Sequence, residues 1–197
     1  MKRIAFFDFD GTITSQDSYL RFLIYSSNWF YCVVALVVLF PVIVGYAFGV
    51  IDNSLAKALT LRWFYTGFSK ARLEELGKNF CREIIPAIIR PQALQKIQWH
   101  QTEGHVLVLV TASVREWVEP WAREQGFKVI ATELEVQDGV LTGRMKTPNN
   151  WGPEKLRRIE AEYLFEDYEF SYAYGDSRGD QEMLAAVDEG HYRPFRE

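Results

Sequence analysis

Between Arg21 and Asp52 the chain carries no charged residue, an uncharged run of 30 residues in a 197-residue protein that is 24% charged overall. Within that run, Trp29 to Ile51 (WFYCVVALVVLFPVIVGYAFGVI) is apolar almost throughout. A helix of ~20 apolar residues spans a bilayer, so length alone admits one crossing. A secretory leader fits poorly, because the run starts late and a polar, structured-looking stretch precedes it. Pro41 and Gly45 interrupt it, and proline inside a helix kinks or ends it. The run is therefore read as two short helices, buried or membrane-facing, since an apolar helix without a polar face belongs in a core or in lipid.

The rest of the chain reads as strands alternating with helices. Lys2–Asp8 is a buried strand that stops at acids and Gly11, and residues 15–28 read as a helix. Asn53 or Ser54 is placed to cap a helix to about Tyr65, and Ser69 another that ends near Pro86. A short helix follows Pro91, and His105–Val110 is the second strand. Ser113 with Glu116 makes a capping-box pattern for a helix ending at Gly126. Lys128–Ala131 is a third strand, Asp138-Gly139 marks a hairpin within 134–144, and Pro153 opens a helix to about Tyr163. Phe170–Tyr174 is a fourth strand, with 180–188 helical after it. Strands joined by helices predict an α/β fold, a doubly wound, Rossmann-like parallel sheet. Residues 15–88 lack strand signals, so they form a helical cap inserted after the first strand, and 1–14 with 89–197 form the core.

Acidic and hydroxyl residues gather where the strands end, which is where open α/β sheets bind ligands. Asp8, Asp10 and Thr12 follow the first strand, Thr111 and Ser113 the second, and Asp176 and Asp180 the fourth, while Lys155 opens the helix before it. Converging carboxylates repel unless a cation sits among them, and oxygen ligands without thiolate or imidazole suit Mg²⁺. A net charge of −4 argues against a nucleic-acid partner. Cys32 and Cys81 form no CxxC, which fits reduced thiols in the cytoplasm. His100, His105 and His191 sit in no ligand spacing and read as ordinary histidines.

The order Asp8-Phe9-Asp10-Gly11-Thr12, Val110-Thr111-Ala112-Ser113, Lys155, and Gly175-Asp176-Ser177-Arg178-Gly179-Asp180 resembles the haloacid dehalogenase (HAD) superfamily of phosphotransferases. The insertion between the first two motifs resembles subfamily IB, which contains the phosphoserine phosphatases, and the apolar cap segment is similar to that of phosphatidylglycerophosphatase C. The resemblance implies an Asp8 nucleophile and an Asp10 acid and base. It implies Mg²⁺ held by Asp8, the Asp10 carbonyl and Asp176, with Asp180 behind them or a weak ligand. Thr111 and Lys155 would bind the substrate phosphate. Ala112 and Ser113 stand where phosphoserine phosphatases carry two glycines, and Asp17 stands where they carry a Glu that reads the substrate amine. Both departures weigh against phosphoserine. Asp10 weighs against dehalogenation, which lacks that second acid, and it favours turnover over the stored phosphate of a receiver-type signalling module.

A single membrane crossing between Arg21 and Asp52 would part Asp8 from Thr111, Lys155 and Asp176, and two crossings need ~40 apolar residues. Two readings of 29–51 remain: two short cap helices packed on the helices at 53–88, or a monotopic anchor in one leaflet on the cytoplasmic side, and the missing polar face favours the anchor. Arg21, Lys57 and Arg62 flank it and would face anionic headgroups. The substrate expected is then a phospholipid-type phosphomonoester. A soluble small-metabolite phosphatase with a self-contained cap is the alternative.

Overall fold

In the computed structural model, which describes residues 2–196, the central sheet has five parallel strands in the order β3-β2-β1-β6-β7. These are β1 (Arg3–Phe7), β2 (Val106–Val114), β3 (Lys128–Thr132), β6 (Phe170–Gly175) and β7 (Glu189–Tyr192). The chain runs outward from β1 through β2 and β3, then returns to start the other half at β6. The switch point thus falls beside β1, at the ends of β1 and β6, where a crevice opens. Ile4, Phe6, Val108 and Val110 face one side and Ala5, Phe7, Leu107 and Leu109 the other, all buried. A parallel sheet covered on both faces requires such nearly continuous apolar strands.

Between β1 and residue 89 lie six α-helices: α1 (Ser18–Tyr25), α2 (Trp29–Val38), α3 (Phe40–Ala47), α4 (Asn53–Tyr65), α5 (Lys70–Glu83) and α6 (Ile85–Ile88). Asp17, Asn28, Asp52 and Ser69 cap α1, α2, α4 and α5 by accepting from backbone amides in the first turn. The cap of α4 is Asp52, one residue before the Asn53 or Ser54 expected. Phe22 and Trp117 stack at 4.4 Å where this layer meets the sheet side, and Gly77 lets α5 approach the Glu116 carbonyl so closely that a Cβ would collide. The hairpin β4 (Leu134–Gln137) and β5 (Val140–Met145) turns at Asp138-Gly139, both at positive φ, as the sequence predicts. It braces the helical layer: the Gly67 amide donates to the Leu141 carbonyl at 2.9 Å and the Leu141 amide to the Phe68 carbonyl at 2.8 Å.

The remaining helices are α7 (Pro91–Thr102), α8 (Glu119–Glu124), α9 (Pro153–Glu162) and α10 (Gln181–Ala185). Three local expectations are corrected. β2 continues to Val114 instead of stopping at Val110, and no helix opens at Ser113, because the Ser113 hydroxyl is bonded to Asp10 and is not available as a cap. The helix predicted over 180–188 is only α10, and its tail gives way to β7, a short edge strand whose EGHY sequence lacks an apolar run. The apolar segment breaks at Leu39, not Pro41. Proline is tolerated in a first helical turn but not beyond it, so α2 ends first and Pro41 sits at the start of α3, with a bend of 58° between the two.

No single described helix is long and apolar enough to cross a membrane. The α2–α3 pair has that length and hydropathy only when the two helices are taken together, bent by 58°, and it is tied to α4 by the Tyr31 hydroxyl, which donates to the Trp63 carbonyl at 2.7 Å. The outer side of the segment 29–51 is bare: Trp29, Val37, Phe48 and Val50 are 77%, 70%, 81% and 83% exposed.

Candidate active site

The acidic cluster begins where β1 runs out. The Asp8 amide still bonds into the sheet, donating to the Tyr174 carbonyl at 2.9 Å. The chain then turns tightly over Phe9–Ile13, which needs φ +84° at Gly11. Gly11 also has no room for a side chain, since a Cβ would lie 2.6 Å from Asp176 Oδ2. The turn buries Asp8 and swings Asp10 toward the helical layer. Thr12, one turn on, donates its hydroxyl to Asp8 Oδ2 at 2.9 Å and reaches Asp176 Oδ1 at 3.4 Å, joining the ends of β1 and β6.

Lys155 is the buried cation among these acids. Pro153 starts α9, and Lys155 in its first turn points Nζ between Asp8 Oδ1 and Asp180 Oδ1, 2.6 Å from each. Burial works against the ammonium, but Asp8 and Asp180 outweigh it and hold its pKa above the ordinary lysine value. Burial and the nearby Asp180 push Asp8 up, against the pull of Lys155. Asp180 is buried yet held low, mainly by Lys155. Its other oxygen accepts from the Ser177 amide at 2.9 Å and hydroxyl at 2.8 Å, so both oxygens are engaged. Asp176 is raised by burial and by Asp180, while Arg196 bonds its Oδ2.

Asp8, Asp176 and Asp180 each offer an oxygen within 4.8 Å of the others, a hard-oxygen set that fits a small divalent cation such as Mg²⁺. Removing the lysine should expose what this crowding costs. Lys155→Ala is expected to destabilise the metal-free protein by about 3–5 kcal/mol, because buried carboxylates lose their partner. Urea unfolding checks this, and added Mg²⁺ should restore part of the loss.

Asp10 sits in a separate network. Ser113 donates its hydroxyl to Asp10 Oδ2 at 2.6 Å, the Ser18 amide donates to Oδ1 at 2.6 Å, and the two serine hydroxyls lie 3.2 Å apart. Ser18 opens α1, so one oxygen of Asp10 is held by the cap and the other by the core. Burial first, then the charge of Asp17, raises Asp10 to about 6. Thr111 is fully buried on β2, and Asn150 fixes its backbone by donating to its carbonyl at 3.0 Å. Asp8, Asp10, Thr111 and Lys155 line one cavity of about 390 Å³.

The structure thus brings Asp8, Asp10, Thr111, Lys155, Asp176 and Asp180 to the carboxyl ends of β1, β2 and β6. Asp17 lines the cavity as well, but its carboxylate caps α1 by accepting from the Leu20 amide at 2.9 Å. Arg178 is exposed. Three contributors were not assigned roles from sequence. Ser113 read as a helix cap, Ser18 carried no signal, and Lys57, expected to face headgroups, instead turns into the cavity. The three histidines gather around Tyr172 and Tyr174. His100 Nδ1 is 2.7 Å from His105 Nδ1, and His191 stacks on Tyr174 at 4.7 Å, but none lines the cavity.

Comparison with known proteins agrees with this arrangement. Residues 5–185 match the haloacid dehalogenase-like hydrolase family. Protein CicA of Caulobacter vibrioides is 36% identical over 194 residues, covering 96% of this chain and 85% of that one. Among solved structures, a Bordetella pertussis protein of unknown function superposes with a TM-score of 0.78 at 24% identity, over 98% of this chain and 89% of the other. A substrate-bound phosphoserine phosphatase complex superposes at 0.69 with 17% identity, over 98% and 85%. At these identities the two structures speak for the fold. The match over 5–185 contains every acid of the cluster and Lys155, and by it the chain belongs to the haloacid dehalogenase-like hydrolase family.

Proposed function

We propose that this member of the family is a Mg²⁺-dependent phosphatase that works through an aspartyl-phosphate on Asp8 and acts on a membrane-borne, phospholipid-type phosphomonoester such as phosphatidylglycerophosphate. One observation carries the reading. The cavity holding Asp8, Asp10, Thr111 and Lys155 is also lined by Leu20, Val42 and Ile43, and Ile43 belongs to the bent, largely bare α2–α3 pair. The charged end of an amphiphile would meet the acids while its apolar end follows these two helices into one leaflet from the cytoplasmic side.

In this reading an Asp8 carboxylate oxygen attacks phosphorus in line, and Asp10 gives its proton to the departing alkoxide. Asp10, now a base, takes a proton from water, whose oxygen attacks the acyl phosphate and frees Asp8 and inorganic phosphate. A burial-raised pKa near neutrality suits a group that must both give and take a proton. The Thr111 hydroxyl donates to a phosphoryl oxygen, and Lys155 offsets the charge of phosphate and nucleophile together. Asp8, Asp176 and the Asp10 carbonyl would hold Mg²⁺, which would supply further positive charge beside the transferring phosphoryl group. With both its oxygens engaged, Asp180 acts from behind by fixing Lys155 and the loop that carries Asp176.

The test is phosphate release from a panel of mixed micelles of phosphatidylglycerophosphate, phosphoserine and sugar phosphates, with Mg²⁺ and with EDTA. Chelation is expected to lower turnover on the order of 10²–10³-fold, and Mg²⁺ to restore it. The lipid should be the preferred substrate. Faster turnover of phosphoserine or a sugar phosphate would instead make this a soluble small-metabolite phosphatase.

A further inference from the structure

Lys57 is a cation whose bonded partners are all neutral. It projects from α4, and its Nζ donates to the Ala112 carbonyl at 2.5 Å and to Asn149 Oδ1 at 3.1 Å, with the Tyr19 ring centroid 5.0 Å away. Among the described residues no carboxylate forms an ion pair with it, whereas Lys155 has two. Burial lowers its pKa to about 8, with Asp10 and Asp17 pulling the other way from longer range. Lys57 is half-buried, and a charge drawn partly out of water is unfavourable unless a counter-charge compensates it. The surroundings are nevertheless built to hold it. Asn149 is buried, and its amide donates at 2.7 Å to Asn53, which lies one helical turn before Lys57 on α4. Asn53 and Lys57 both line the cavity that contains Asp8.

We infer that Lys57, supported by Asn149 and Asn53, is a second anion subsite that takes a negatively charged oxyanion on the leaving group of the substrate, a phosphodiester or a carboxylate. This rests on the phosphatase reading of the Asp8 centre. The transferred phosphoryl group already has Lys155 and Thr111 beside the nucleophile, so a further, half-buried ammonium in the same cavity is placed to read what the phosphoryl is attached to. An ammonium has three donors, and two are used here, which leaves one for a ligand. Val42 and Ile43 add an apolar wall to the same cavity. The substrate then has a phosphomonoester at one end, a single negative charge in the middle and an apolar remainder.

The experiment compares kcat/KM of the full chain with Mg²⁺ on three water-soluble phosphomonoesters. Glycerol 3-phosphate has an uncharged leaving group, 3-phosphoglycerate a carboxylate, and glycerophosphoglycerol phosphate a phosphodiester without acyl chains. At least one charged ester is expected to exceed glycerol 3-phosphate by about tenfold or more, the scale of one charge-assisted hydrogen bond. Lys57→Met should bring that ratio close to one, mainly through KM, and Lys57→Arg should keep most of it. Equal turnover of all three by the unaltered protein would overturn the subsite and leave the phosphatase intact. So would an unchanged ratio in Lys57→Met. The first comparison needs no variant, so a poorly folded Lys57→Met would not shield the inference. If none of the three esters nor the lipid is hydrolysed, it is the phosphatase reading that fails, and the subsite with it.

Discussion

Asp8→Asn is expected to abolish phosphate release from every phosphomonoester, by about 10⁴-fold or more, as loss of a covalent nucleophile does elsewhere. The amide has the size of the carboxyl, its oxygen can still accept from Lys155, and the Thr12 hydroxyl can turn to accept from its NH2, so the fold should survive. It also removes one of the carboxylates crowded around Lys155, which offsets the weaker ion pair. A melting temperature within a few degrees of the parent would show that the loss is chemical. The complementary change, Asp10→Asn, should leave Asp8 able to be phosphorylated while slowing turnover by about 10²–10⁴-fold, the usual weight of general acid–base catalysis. Residual activity above one part in a hundred in Asp8→Asn would sink the covalent mechanism. A long-lived phospho-Asp8 in the unaltered protein, with no phosphate released, would point to a signalling role instead.

The second large effect concerns the apolar segment 29–51, which contains α2 and α3. The full chain is expected to sediment with anionic phospholipid vesicles and to stay with them in high salt, since apolar burial is not screened as charge pairing is. The variant Val37→Glu/Phe48→Glu/Val50→Glu should remain in the supernatant. Each replaced side chain is at least 70% exposed, so the changes leave the core alone. Burying an apolar side chain of this size in lipid contributes about 1.5–3 kcal/mol, so removing three should weaken docking by several orders of magnitude. Turnover of a soluble ester should persist while turnover of the micellar lipid falls. Recovery of the unaltered protein wholly in the soluble fraction, at low salt and without detergent, would defeat the membrane reading.

Much of this was legible in the sequence because parallel strands and their terminal acids are local signals. KRIAFFD, HVLVLV and FSYAY each announce a buried strand, and the polar residues at or just past their ends, Asp8, Thr111 and Asp176, mark the ligand end of the sheet. Pairing partners are not local. Nothing in EGHY signals a strand until Gly190 is seen beside Ala173 on β6. Ser113 shows why a correct local pattern can mislead. The Ser113/Glu116 spacing suits a capping box, but a carboxylate 2.6 Å away competes for the same hydroxyl and wins. Lys57 failed for a similar reason. Its neighbours in sequence are apolar and suggest a headgroup contact, while its neighbours in space are a backbone carbonyl and an asparagine more than fifty residues away.

The position of β1 in the sheet has a consequence for how the molecule is made. It is the central strand, yet Ile4 pairs with Val106 on one side and with Ser171 on the other. During synthesis from the N-terminus the whole α2–α3 pair leaves the ribosome before either neighbour of β1 exists. The greasiest part of the chain is thus presented in water while no sheet is available to shelter it. Until the sheet closes around β1, that exposed stretch is the part of the chain most open to aggregation, as in other late-closing parallel sheets.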